Sequence, residues 1–327
     1  VYTKCYFCFL VSDNSLPTRV IGRHEGVRPG PLLICVGGMH GNEPAGVAAV
    51  DLLLKMLEVE PITNPDFVFR GTMVGIRGNL HALRLGQRYI KKDLNRSLTR
   101  EYVNHVLEQD PDTLQNEDWE IYHLVHQVRS EIATYQPDKI VVLDLHTTTA
   151  FGGIFTLASR DEESIRIGIE MHAPVITGFE RDITGTTMGY FAPRNFDRDI
   201  VTVVFESGQH YERLSVNRAI AAIINCMRTI GCVRAEDVEN RHDYLLREYA
   251  QHLPKVAELV DRYQVDTSQT FNMLPDFKNF QPVQKGQTLA YSNGTPVRAS
   301  KDGLLLMPKY QKQGDDGFFI ISPLDGY

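Results

Sequence analysis

Cysteine is scarce in this chain, with five in 327 residues, at positions 5, 8, 35, 226 and 232. An odd, sparse set does not build a disulfide scaffold and points to a reducing compartment, so a cytoplasmic protein is expected. Cys5 and Cys8 form a C-x-x-C, but a four-cysteine zinc site needs a second close pair. Cys226 and Cys232 are instead spread along a helical run. The cysteines are therefore read as small buried hydrophobes, with a redox or metal role for Cys5 and Cys8 as the sharper alternative. No run reaches the roughly 18 apolar residues of a membrane-spanning helix. The apolar stretch 5–11 is shorter and lacks the basic leader of a signal peptide. Positive charge is not in excess: 34 Lys and Arg stand against 41 Asp and Glu, a net charge of −7, which argues against a nucleic-acid or anionic-membrane surface. Repeats and low-complexity segments are also missing. What remains is an ordinary globular balance, 43% hydrophobic and 23% charged, at a length for about two domains.

Up to about residue 235, short apolar runs alternate with longer helical stretches. Residues 32–36 (LLICV), bounded by Pro31 and by Gly37-Gly38, read as a buried strand. Pro44 then suits the first turn of a helix, and Val47, Val50, Leu53, Leu54 and Leu57 follow at helical spacing. Strands are expected at 67–75, 140–145, 154–158 and 201–205, and helices at 117–135 and 211–230, the last closed by Gly231. Beyond residue 250 the texture becomes β-rich, with strands expected at 256–265, 280–290, 295–300 and 318–322 and turns at Lys285-Gly286, Asn293-Gly294 and Asp316-Gly317. The expected fold is α/β, a three-layer sandwich with a mixed central sheet over residues 1–240, followed by a small β-rich domain over 241–327.

Chemistry concentrates where buried strands stop, the edge at which open α/β sheets bind ligands. His40 and Glu43, three apart in GGMHGNEP, can turn an imidazole and a carboxylate toward one ion. The glycines fit neither a dinucleotide fingerprint nor a P-loop. A second H-x-x-E, His105 and Glu108, follows no strand and reads as a solvated helical face, and His123 and His126 read as structural. A catalytic zinc site needs three protein ligands and an open position. His146, at the end of IVVLDL, can be the third, and Asp144 on the same strand face can fix its tautomer. Glu206, where the strand VTVVF stops, is placed to serve as a general base. The stretch RYIKKDLNR at 88–96 is a basic island in an acidic chain, able to clamp a carboxylate or polarise a carbonyl.

Four segments, GGMHGNEPAG (37–46), RYIKKDLNRS (88–97), DLHTT (144–148) and FESG (205–208), together resemble the succinylglutamate desuccinylase/aspartoacylase family of the zinc carboxypeptidase superfamily. The resemblance implies one zinc per chain held by His40, Glu43 and His146, with Glu206 as general base and acid. It implies Arg88 polarising the scissile carbonyl and Asn95 with Arg96 holding a substrate carboxylate. Tyr190 and Arg194, in GYFAPRN, match a further Tyr and Arg of the substrate pocket. The implied substrate is a small anionic N-acyl amino acid. Two departures leave its acyl group and amino acid open: Lys91-Lys92 replaces acidic or small residues, and FESGQH replaces a glutamate-valine-glycine-proline segment. Residues 283–308 are similar to lipoyl- and biotinyl-type β-domains but lack their methionine-lysine-methionine acceptor turn, so no covalent cofactor is expected. The rival readings are a zinc carboxypeptidase acting on peptides and a non-catalytic ligand-binding relative. No nucleic-acid or membrane partner is expected, and a homo-oligomer stays open.

Overall fold

The computed structural model describes residues 16–266 and 268–327. The C-x-x-C of Cys5 and Cys8 lies outside these residues. In chain order the strands are β1 Val20–Glu25, β2 Arg28–Gly37, β3 Arg70–Arg77, β4 Ile140–Thr148, β5 Phe155–Leu157, β6 Val175–Thr177 and β7 Ile200–Gln209. They continue with β8 Val256–Gln264, β9 Phe271–Met273, β10 Pro282–Val283, β11 Thr288–Ser292, β12 Thr295–Arg298, β13 Gly303–Leu306 and β14 Asp316–Pro323. Among the described residues they form an eleven-stranded mixed sheet in the order β1-β3-β2-β4-β7-β5-β6-β8-β14-β13-β10, and a three-stranded sheet β12-β11-β9.

The central strands β3, β2, β4 and β7 run parallel and are covered on both faces, as parallel sheets require. Alternation divides their side chains cleanly. Leu33, Cys35, Val141, Leu143 and Val203 pack toward helices Ala45–Thr63 and Ser215–Ile230. Leu32, Ile34, Val142 and Ile200 pack toward helices Arg100–Leu107 and Asn116–Tyr135. Two apolar clusters on opposite faces of one sheet make the three layers.

Several boundaries differ from the sequence expectation. β4 runs on to Thr148 and β7 to Gln209, so His146 and Glu206 lie inside paired strands rather than at their ends. The helix expected from residue 211 begins at Ser215, because 211–214 form a turn. The strand expected at 280–290 is interrupted at Gln284-Lys285-Gly286-Gln287 and splits into β10 and β11. The β-rich C-terminal stretch does not stand apart at the level of the sheet. β8 pairs in parallel with β6, and β14, β13 and β10 extend the same ladder antiparallel. Among the described residues no helix is long and apolar enough to cross a membrane.

Candidate metal centre and pocket

The loop leaving β2 is built around close backbone approaches. Gly38 adopts φ +72°, a left-handed conformation that favours glycine. A Cβ on Gly41 would stand 2.0 Å from the Ala82 carbonyl carbon, so no side chain fits there. The Gly41 N–H donates to the Arg88 carbonyl (3.2 Å) and the Glu43 N–H to the His40 carbonyl (3.1 Å). These bonds turn His40 and Glu43 inward before the helix begins at Ala45.

His40, Glu43 and His146 are all buried and offer ligand atoms that lie within 4.8 Å of one another. His40 Nδ1 is 2.9 Å from Glu43 Oε1, and His146 Nδ1 is 2.9 Å from Glu43 Oε2. The far nitrogen of each ring meets its own aspartate. His146 Nε2 is 2.8 Å from Asp144 Oδ2, and His40 Nε2 is 3.2 Å from Asp93 Oδ1. An Nε2–H donated to a carboxylate leaves the Nδ1 lone pair facing the shared centre, the arrangement of a metal-binding imidazole. Two imidazoles and a carboxylate are a donor set suited to a catalytic divalent ion with an open position. Burial would raise the Glu43 carboxyl, but His40 and His146 hold it well below the usual range. Burial lowers the His146 imidazole, yet Asp144 and Glu43 outweigh it and carry it well above its ordinary value.

Glu206 sits opposite His146 on the adjacent parallel strand. Burial, with smaller contributions from neighbouring charges, pushes its carboxyl up to about 8. Its Oε2 is buried and has no hydrogen-bond partner among the described residues. An orphaned carboxylate oxygen beside a cluster of ligand atoms fits a site that takes an ion and a water.

The basic island is held in shape by an acid from elsewhere. Glu117, wholly buried on helix Asn116–Tyr135, accepts the backbone N–H groups of Ile90 (2.6 Å), Lys91 (3.0 Å) and Lys92 (3.3 Å). Asp93 caps the next turn by accepting the Asn95 N–H (2.9 Å), and it also accepts from Arg88 Nε (2.9 Å). Burial would raise Asp93, but Arg88 and then His40 hold it well below the usual range. Asn95 Oδ1 accepts the Thr187 N–H, and the Thr187 hydroxyl donates to Asp144, so one threonine ties the island to β4. Arg96 pairs with Asp316, which also accepts from Arg262 Nε (2.7 Å).

His40, Glu43, Arg88, Asn95, Arg96, His146 and Glu206 line one cavity of about 120 Å³. The structure does not bring Tyr190 and Arg194 to it. Tyr190 is buried edge-on between Phe191 and Phe196, and Pro193 opens a short helix that turns Arg194 out to solvent, where it donates to the Gly189 carbonyl. His105 and Glu108 are exposed, as expected. His126 is exposed too, and His123 packs tilted against Trp119 at 4.0 Å.

Sequence reasoning missed several polar residues that line the cavity. His210, in the FESGQH departure, holds Thr147 Oγ1 at 2.7 Å through Nδ1, and its Nε2 is buried without a partner among the described residues. Lys309 and Gln311 arrive on the segment between β13 and β14, and Asp316 is the first residue of β14. Gln313 fastens that segment, accepting the Arg88 N–H and donating to the Tyr89 carbonyl. No local sequence signal marks the 309–316 segment, because Gln313 anchors it through a contact more than 200 positions away.

The family model for the succinylglutamate desuccinylase/aspartoacylase catalytic domain matches residues 29–230. The chain belongs to this family. Among its relatives, the family's probable aspartoacylase from Nostoc sp. is 36% identical over 122 residues, 36% of each chain. A succinylglutamate desuccinylase from Photorhabdus laumondii is 27% identical over 129 residues, 39% of this chain and 36% of that one. Each match thus spans about a third of the curated relative's length. The solved succinylglutamate desuccinylase of Vibrio cholerae superposes with a TM-score of 0.62 at 16% identity, over 90% of this chain and 82% of the other. That of Chromobacterium violaceum gives 0.59 at 17%, over 91% and 86%. Both likenesses cover too much of the chain to stop at the matched catalytic domain, and they establish the fold.

Proposed function

We propose that this chain is a zinc-dependent amidohydrolase that cleaves the amide bond of a small N-acyl amino acid. The observation that carries the reading is the convergence of His40 Nδ1, His146 Nδ1 and the Glu43 carboxylate, each imidazole backed by its own aspartate. His40, Glu43 and His146 would hold the ion, which when bound supplies an acidified water and Lewis-acid polarisation. Glu206, which lines the same cavity and whose buried Oε2 has no partner among the described residues, takes the water's proton and returns it to the leaving nitrogen. Arg88, fixed by Asp93, presents its guanidinium to the carbonyl oxygen as charge builds there. Asn95 and Arg96 orient the substrate carboxylate, and the buried Nε of Arg96, without a partner among the described residues, is an available donor. Residues 1–240 are assigned the chemistry, and 241–327 the closure of the pocket through Lys309, Gln311 and Asp316.

Metal analysis followed by hydrolysis assays on N-acyl amino acids and on C-terminal dipeptides, with and without chelator, tests the proposal. Stoichiometric zinc and chelator-sensitive release of free amino acid are expected. Preference for dipeptides would move the assignment to a carboxypeptidase, and absence of both zinc and hydrolysis would overturn it.

A further inference from the structure

Along β7 the side chains alternate, so Val204 shares a face with Glu206 while Phe205 points into the opposite layer. Val204 belongs to an apolar cluster with Phe179, Ile183, Met188 and Phe319, and Leu157 packs against that cluster. All six also line the cavity that holds Glu206 and the three candidate ligands. The cavity therefore has two unlike halves: beyond Glu206 its wall is the uncovered face of a hydrophobic cluster.

The charges in the other half are largely engaged. Arg88 is paired with Asp93, and Lys309 Nζ donates to the carbonyls of Gln311 (2.8 Å) and Lys312 (3.1 Å). Arg96 is paired with Asp316, a carboxylate standing inside the cavity lining and shared with Arg262. The side-chain nitrogens left over, Arg96 Nε and His210 Nε2, suit one carboxylate. A second carboxylate would lie against Leu157, Met188 and Val204 with no partner for its charge, a costly burial.

Arg96 and the apolar half are also neighbours. Leu98 N–H donates to the Gly185 carbonyl at 2.9 Å, and a Cβ on Gly185 would stand 2.2 Å from the Arg96 carbonyl oxygen. Ile183 and Met188 flank that glycine in the chain. In an amino acid, the α-carboxylate and the side chain leave the same carbon. A carboxylate held at Asn95 and Arg96 thus directs its side chain into the apolar half.

Resting on the deacylase reading, we infer that the substrates are N-acyl derivatives of amino acids with apolar side chains, of the leucine and methionine kind, and that Asp316 together with the Leu157–Met188–Val204 wall excludes acidic ones. The discrimination follows from leaving a buried charge unpaired, and misfits of this kind give ratios of about ten-fold or more.

The test compares kcat/KM of the zinc-loaded full chain for N-acetyl-L-leucine and N-acetyl-L-aspartate. A second readout, on zinc-free protein, is the thermal shift given by L-leucine and by L-aspartate. Expected are at least about a ten-fold preference for the leucine derivative and a larger shift with L-leucine. Equal or greater turnover of the aspartate derivative overturns the inference while leaving the deacylase reading intact. Hydrolysis of neither compound, in protein that also gives no shift with L-leucine, overturns both. Leu157→Arg, at a half-buried position from which a long side chain can carry its charge toward solvent, should bring the ratio toward one. An unchanged ratio in folded L157R protein removes the wall from the account of specificity.

Discussion

His146 and Glu206 face each other across the β4–β7 ladder, in register on adjacent parallel strands. The sheet itself thus sets the distance between a candidate ligand and the candidate base, and no loop movement is needed to bring them together. Glu206→Gln should keep zinc stoichiometry and lower kcat by about 10²- to 10⁴-fold, the range for loss of a general base. Steady-state kinetics beside metal analysis checks this.

The same substitution should stabilise the chelated protein at neutral and alkaline pH. Burial pushes the Glu206 carboxyl up to about 8 from an ordinary value of 4.5. The unfolded chain therefore gives up this proton first, and stability falls as pH rises between those values. Glutamine carries no such proton. The gain of Glu206→Gln should be absent near pH 4.5 and greatest above pH 8, read from urea denaturation of chelated protein at both ends.

Asp93 and Asp144 each brace one imidazole through Nε2. Asp93→Asn and Asp144→Asn should each weaken zinc binding by about 10- to 100-fold without removing a ligand. Competition titration against a zinc chelator measures it. Unchanged affinity in both variants would count against Nδ1 ligation.

Glu117 reaches three backbone donors of the basic island and also accepts from Asn79 Nδ2 at 3.2 Å. Glu117→Ala leaves those groups without an acceptor and should cost about 3 kcal/mol of stability. Because Arg88 precedes these donors and Asn95 and Arg96 follow them, KM should rise as well. Glu117→Gln, which keeps one acceptor oxygen, should lie between.

Burial raises the thiols of Cys35 and Cys226, the latter to about 12, and that of Cys232 as well. At pH 8 all three should resist alkylation in folded protein and react on denaturation, since the thiolate is the reactive form. Peptide mapping after a timed iodoacetamide pulse reads each site separately.

The central layers were legible because burial on both faces writes apolar runs into the sequence, as in 32–36 and 201–205. Short strands such as β6, three residues long, carry too few positions for a period to show. Three ligand candidates and Glu206 were legible because each follows such a run. The supporting acids were not. Glu117 looks like an ordinary acid in a helix's first turn, and its burial is fixed by a loop some 25 residues earlier. A signal did exist: Glu117, Glu120 and Glu131 fall on the same helical face as Ile121, Leu124, Val128 and Ile132, where an acid needs a partner. Tyr190 and Arg194 were misplaced because matching by residue type ignored Pro193, which redirects the chain between them.

β14, the last strand in the chain, is inserted between β8 and β13, and its first residue, Asp316, grips Arg96. Synthesis proceeds from the N-terminal side, so the loop carrying His40 and Glu43 and the strands β4 and β7 emerge well before the piece that closes the candidate chamber. A nascent chain short of residue 316 exposes the open edge of β8, an invitation to wrong pairing, and presents a chamber with one side missing. The candidate chamber is therefore closed only once a strand some 220 residues beyond Arg96 has taken its place in the sheet.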